Sequence, residues 1–268
     1  MSDERLTIGH MAGPVLNERV PVAVLLHGFT QNRHCWGSFA DVLGRRYTVL
    51  GVDLPGHGDS LANEVSFERA AKLVGDALAT VDGPIDTLVG YSMGGRMALR
   101  LVVDQPDACS RLVVLGATAG LLDPGDRARR RSADAALAAR LREEGPDKFL
   151  DFWLGLELFS GLSHAQQFRT ERLAHWGSGV PETLECRGTG NMEPVWPLLH
   201  SVNIPVLVLA GERDQKFTEI GRAISDHIGA NGTFETITDT GHACHLEDPV
   251  RTASALLRWS SDFGSAPH

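Results

Sequence analysis

No stretch of the 268-residue chain approaches the roughly 18 consecutive apolar positions that a bilayer crossing requires. The polar opening Met1-Ser2-Asp3-Glu4-Arg5 leads into no apolar leader segment. A cytoplasmic chain with no membrane partner is expected. Cysteine is scarce: Cys35, Cys109, Cys186 and Cys244 lie far apart, with no C-x-x-C pair and no zinc-like Cys/His spacing. That speaks against a disulfide framework or a bound metal and leaves each thiol as a small packed hydrophobe. Positive charge is in deficit, and the net charge of −9 speaks against nucleic acid or an anionic membrane surface as partner. Lysine is scarcest of all, with only Lys72, Lys148 and Lys216 among 25 basic residues. The remaining basic charge is arginine, whose planar fork suits carboxylates. In so acidic a chain an anionic ligand must be met by a local cationic pocket.

What is present is a 43% hydrophobic composition, ample for one large core. Short continuous apolar runs alternate with helical patterns. Val22–Leu26, Tyr47–Val52, Thr87–Val89, Arg111–Leu115, Ile204–Ala210 and Thr233–Thr238 read as strands. Between them Ser38–Leu43, Ser66–Val81, Met93–Val103 and Phe217–Ile228 read as helices, with Ser66 as a cap, and a closing helix runs to about Phe263. This alternation predicts an α/β fold with a mostly parallel sheet covered on both faces. From Leu122 to Leu199 the β-like runs stop, and helical segments are expected at 126–142, 147–159, 165–176 and 181–188. The predicted organisation is a core of residues 1–121 and 200–268 with a helical cap inserted at 122–199.

The chemistry centres on Gly90-Tyr91-Ser92-Met93-Gly94, where an apolar run meets a helical pattern. In this nucleophile-elbow form, glycines flank a strained serine whose hydroxyl stands at a helix N-terminus. The helix dipole and the Met93 amide can there hold an oxyanion. His27-Gly28-Phe29 ends an earlier strand and offers the Phe29 amide as a second donor, while Asp53-Leu54-Pro55-Gly56-His57-Gly58 makes a shaped rim loop. Asp214 and His242 each follow a later strand, giving the chain order Ser, Asp, His that α/β-hydrolases use. Asp123 and His245 are the rival acid and base. Arg96, one helical turn past Ser92, needs an anionic partner, either an internal carboxylate or a substrate carboxylate. Arg127, Arg130 and Arg131 share a cap-helix face, either as anion ligands or as a solvated face with Asp134 paired to Arg130.

These motifs, together with Arg127-Ala128-x-Arg130, Gly211-Glu212-Arg213-Asp214-x-Lys216-Phe217 and Gly241-His242-x-x-His245, resemble the 2-succinyl-6-hydroxy-2,4-cyclohexadiene-1-carboxylate synthases of menaquinone biosynthesis over almost the whole chain. The resemblance implies an α/β-hydrolase fold with an inserted helical cap. It implies a lyase that eliminates pyruvate from an enolpyruvyl cyclohexene carboxylate with no cofactor and no metal, acting as a monomer or homodimer on a small substrate rich in carboxylates. Ser92, Asp214 and His242 would be catalytic, and the amides of Phe29 and Met93 would form the oxyanion hole. Tyr91, Arg96, Arg130 and Trp153 would contact substrate. One departure stands out: where the family carries a further cap arginine, this chain reads Leu173-Ala174-His175-Trp176, with Arg172 nearby. A carboxylesterase or carbon–carbon bond hydrolase acting on an acidic substrate is the alternative reading, and a non-catalytic binding module the third.

Overall fold

The computed structural model describes residues 4–16, 20–61 and 64–263. The first three residues of the polar opening and the last five of the predicted core therefore lie outside the described residues. In chain order the elements are β1 (Ile8–Ala12), β2 (Val22–Leu26), α1 (Gly37–Leu43), β3 (Thr48–Val52), α2 (Phe67–Leu78), β4 (Ile85–Tyr91), α3 (Met93–Asp104) and β5 (Arg111–Leu115). Then come α4 (Pro124–Leu154), α5 (Arg169–Ala174) and α6 (Val180–Arg187), followed by β6 (Val206–Gly211), α7 (Gln215–Ile228), β7 (Gly232–Ile237), α8 (Cys244–Glu247) and α9 (Pro249–Ser261).

The strands form one seven-stranded sheet in the order β1-β3-β2-β4-β5-β6-β7. All neighbours are parallel except β1, which runs antiparallel to β3. The strand period of two divides the apolar runs between two cores. Val22, Val24 and Leu26 pack with α2, α3 and α7, whereas Ala23 and Leu25 pack with α1 and α9 on the opposite face. This two-sided burial is why β2 to β6 carry apolar runs, interrupted in β4 and β5 only near their starts, where Asp86 pairs with Arg111. β1 (Ile-Gly-His-Met-Ala) is half-buried at the sheet edge, carries no such signature, and is absent from the sequence expectation.

The Ser66 hydroxyl accepts from the Arg69 amide and caps α2, worth about 1 kcal/mol. Phe67, Ala70, Ala71, Val74, Ala77 and Leu78 form its buried face. The segment between β5 and β6 is helical, but its boundaries differ from expectation. The first two expected helices are one 31-residue element, α4, broken at Gly145 (φ 78°) before Pro146, which lacks an N–H for the ladder. Glu157–Phe159 is a separate 3₁₀ turn, and only Arg169–Ala174 of the third expected helix is helical. Cys35, Cys109 and Cys244 are buried as expected, but Cys186 is only partly so, because it lies on the outer side of α6. Among the described residues no helix is long and apolar enough to cross a membrane.

Candidate active site

Parallel strands deliver their following loops to one carboxyl edge of the sheet. Ser92 follows β4, residues 27–31 follow β2, Asp214 follows β6 and His242 follows β7. Ser92 has φ 49°, the strained elbow conformation. The glycines around it are required by close backbone approach: a Cβ on Gly94 would lie 2.0 Å from the Leu26 carbonyl oxygen, and one on Gly90 2.6 Å from that of Gly94.

His242 Nε2 lies 3.4 Å from Ser92 Oγ, and His242 Nδ1 lies 2.8 Å from Asp214 Oδ2. The carboxylate on Nδ1 fixes the tautomer that leaves Nε2 free to accept the serine proton. Asp214 is itself anchored, since its Oδ1 accepts the Phe217 amide and caps α7. The rivals are placed elsewhere. Asp123 caps α4 by accepting the Asp126 amide, and His245 sits fully buried on α8 against Tyr91 and Trp36.

Phe29 and Met93 both border the cavity above Ser92. Their neighbours' amides are committed: Gly28 N–H donates to Gln31 Oε1 and Gly94 N–H to the His27 carbonyl. His27 stiffens this loop. Its Nε2 accepts from the Leu54 amide at 3.0 Å, so Nδ1 carries the proton and donates to the Gly28 carbonyl at 2.8 Å. The rim loop is held by Asp53, which accepts the amides of Arg33 and Asp59 and ion-pairs with Arg33.

The cavity encloses about 230 Å³. Tyr91, Arg96, Arg130 and Trp153, all named from sequence, line it, and so do Gln31, Arg172, Arg187 and Lys216. Trp153 packs edge-on against Phe29, with ring centroids 5.0 Å apart. Arg96 is buried over the Phe67 ring and donates to the Arg187 carbonyl at 3.0 Å, with no carboxylate in direct contact among the described residues. Burial, reinforced by nearby Arg130, lowers its pKa to about 9. Arg130 does both things weighed from sequence: it borders the cavity while its Nε holds Asp134 at 2.9 Å. Asp134 is 1% exposed, and burial raises its pKa against the pull of Arg130. The expected three-arginine face divides, because Arg127 turns to Glu193 and Arg131 to the Gly190 carbonyl. Arg172 is buried, with Nε on the Gln167 carbonyl and Nη1 on the Thr30 hydroxyl. Among the described residues no carboxylate pairs with it.

Three fully buried rings set an acid limit on this edge of the fold. Burial, opposed in part by Asp53, lowers the His27 pKa to about 4. Burial also holds His57 and His245 well below the ordinary histidine value, helped by His27 and by His242 respectively. A neutral ring in the fold and an ordinary one in the unfolded chain mean that stability is complete above about pH 6.5 and declines as pH falls toward about 4. His27 alone should cost on the order of 2 kcal/mol by about pH 5. Urea unfolding between about pH 7 and pH 5 measures this, and an unfolding free energy flat across that interval would contradict it.

A family model described as the alpha/beta hydrolase family matches residues 23–255. The 2-succinyl-6-hydroxy-2,4-cyclohexadiene-1-carboxylate synthase of Klebsiella pneumoniae is 32% identical over 242 residues, covering 89% of this chain and 93% of that protein. The same enzyme of Serratia proteamaculans is 30% identical over 240 residues, covering 88% and 91%. The solved structure of MenH from S. aureus superposes with a TM-score of 0.86 at 30% identity, covering 96% of this chain and 98% of that one. By fold, motif and these identities the chain belongs to the alpha/beta hydrolase family and, within it, to the 2-succinyl-6-hydroxy-2,4-cyclohexadiene-1-carboxylate synthases.

Proposed function

We propose that the chain eliminates pyruvate from 2-succinyl-5-enolpyruvyl-6-hydroxy-3-cyclohexene-1-carboxylate to give 2-succinyl-6-hydroxy-2,4-cyclohexadiene-1-carboxylate, a lyase step of menaquinone biosynthesis. The observation that carries this reading is a serine–histidine–aspartate array facing a cavity lined by Arg96 and Arg172, two buried guanidinium groups with which, among the described residues, no carboxylate is in direct contact. Buried guanidinium groups are costly unless an anion joins them, and a substrate with several carboxylates supplies that anion.

In this reading His242, oriented by Asp214, takes the Ser92 proton, and Ser92 Oγ removes the ring proton at C2, next to the succinyl ketone. The C2–H electrons form C2=C3, the C3=C4 pair moves to C4=C5, and the C5–O bond breaks. Enolpyruvate leaves, receives the proton carried by His242 and becomes pyruvate. No water is consumed. The amides of Phe29 and Met93 hold the charge that gathers on the ketone oxygen. Arg96 and Arg130 hold carboxylates, Tyr91 and Trp153 pack on the ring, and Arg172 supplies the cap cation missing at 173–176. Residues 122–199 act as a cap over a core of 1–121 and 200–268.

A coupled assay for pyruvate tests the assignment. One pyruvate per substrate, with a ring product that carries a 2,4-diene and no added water-derived hydroxyl, is expected. Rapid turnover of simple aryl esters with no pyruvate released would instead favour a hydrolase.

A further inference from the structure

Gln31 lines the same cavity as Phe29 and Arg172 and takes no part in the scheme above. It is 3% exposed. Its Oε1 accepts the Gly28 N–H at 2.8 Å, and its own amide donates to the Gly28 carbonyl at 3.2 Å. A backbone N–H can only donate, so the side-chain oxygen must face Gly28 and the NH₂ end must point away. Among the described residues nothing accepts from that NH₂. Two donor hydrogens therefore remain at the cavity wall. Arg172, which also lines the cavity, donates to the hydroxyl of Thr30, the residue before Gln31. Arg96 and Arg130 stand on other elements, α3 and α4.

We propose that Gln31 is a specificity-determining residue, whose NH₂ donates to a carboxylate oxygen of the substrate beside Arg172 while its carbonyl end orients the Gly28–Phe29 peptide. The cavity then grips a polycarboxylate at two separated points, Gln31–Arg172 and Arg96–Arg130. This rests on the reading of the cavity as a polycarboxylate site.

Gln31→Glu separates the two roles, because it keeps an oxygen acceptor and the side-chain length but replaces the donor with an anionic oxygen. The probe is 2-(3-carboxypropanoyl)benzoate, a stable aromatic dicarboxylate with no enolpyruvyl group to eliminate, measured by isothermal titration. Gln31→Glu should weaken its Kd tenfold or more with the urea midpoint unchanged. Gln31→Met, lacking donor and acceptor, should weaken Kd and also lower kcat for pyruvate release. A Gln31→Glu protein that binds within twofold of wild type overturns the proposal, as does a wild type that does not take up the probe. A wild type that binds the probe but releases no pyruvate overturns the lyase assignment and leaves the role of Gln31 standing on its titration.

Discussion

Ser92→Ala is expected to lower kcat for pyruvate release by on the order of 10³-fold or more, with KM little changed, because it removes the group proposed to take the ring proton. The substitution is conservative for the fold. The Ser92 hydroxyl accepts no capping bond from α3, and its backbone amide, bonded to the Leu115 carbonyl at 2.8 Å, is retained. The 3.4 Å gap between Ser92 Oγ and His242 Nε2 is long for a hydrogen bond between them, as unliganded catalytic contacts commonly are. The geometry thus admits a competing scheme in which His242 removes the proton directly. In that scheme Ser92→Ala would keep its rate within about tenfold, since only a neighbouring hydroxyl is lost. A loss confined to that range would remove Ser92 from the proton path and leave the His242–Asp214 pair.

Arg96→Met should reduce kcat/KM by roughly 30- to 1,000-fold, the equivalent of about 2–4 kcal/mol for a carboxylate left without its desolvated partner. Its effect on stability is expected to run the other way. Arg96 is buried against a carbonyl and a thioether, and its lowered pKa reports a charge held at a cost. An apolar chain of similar length removes that cost, so the thermal midpoint should hold or rise. Activity and stability moving in opposite directions distinguishes a substrate clamp from a packing residue. A destabilised protein with unaltered kcat/KM would identify Arg96 as the latter.

The contrast between what was legible in the sequence and what was not follows burial and chain distance. β2 to β6 declare themselves because strands covered on both faces must be largely apolar, and the elbow because Gly90 and Gly94 admit no side chain. Ser92, Asp214 and His242 could be aligned in order because each closes a strand of one parallel sheet. β1 escapes because an edge strand needs only one apolar side, and the break in α4 reads as two helices because Gly145 and Pro146 interrupt the pattern without ending the element. Gln31 and Arg187 were invisible as site residues, and Arg172 was noticed only as lying near the position of a missing cap arginine, for a different reason. Their side chains reach the cavity from a loop and from α5 and α6, whose weak periodicity does not say which side faces inward. The amide of Gly28 and the hydroxyl of Thr30, which hold two of these side chains, could be located only in three dimensions.

The break at Gly145 divides labour within a single helix. Arg130 and Asp134 ride the arm before it, and Trp153 rides the arm after it. A Cβ at Gly145 would meet nothing within 4 Å, so it is the left-handed φ of 78°, and not lack of space, that suits the position to glycine. The two arms stay packed on each other, with Ala138 and Leu141 in one cluster with Phe149 and Trp153 and with Arg140 over the Phe152 ring, so a substitution that reshapes the aromatic wall around Trp153 bears on the arm that carries Arg130.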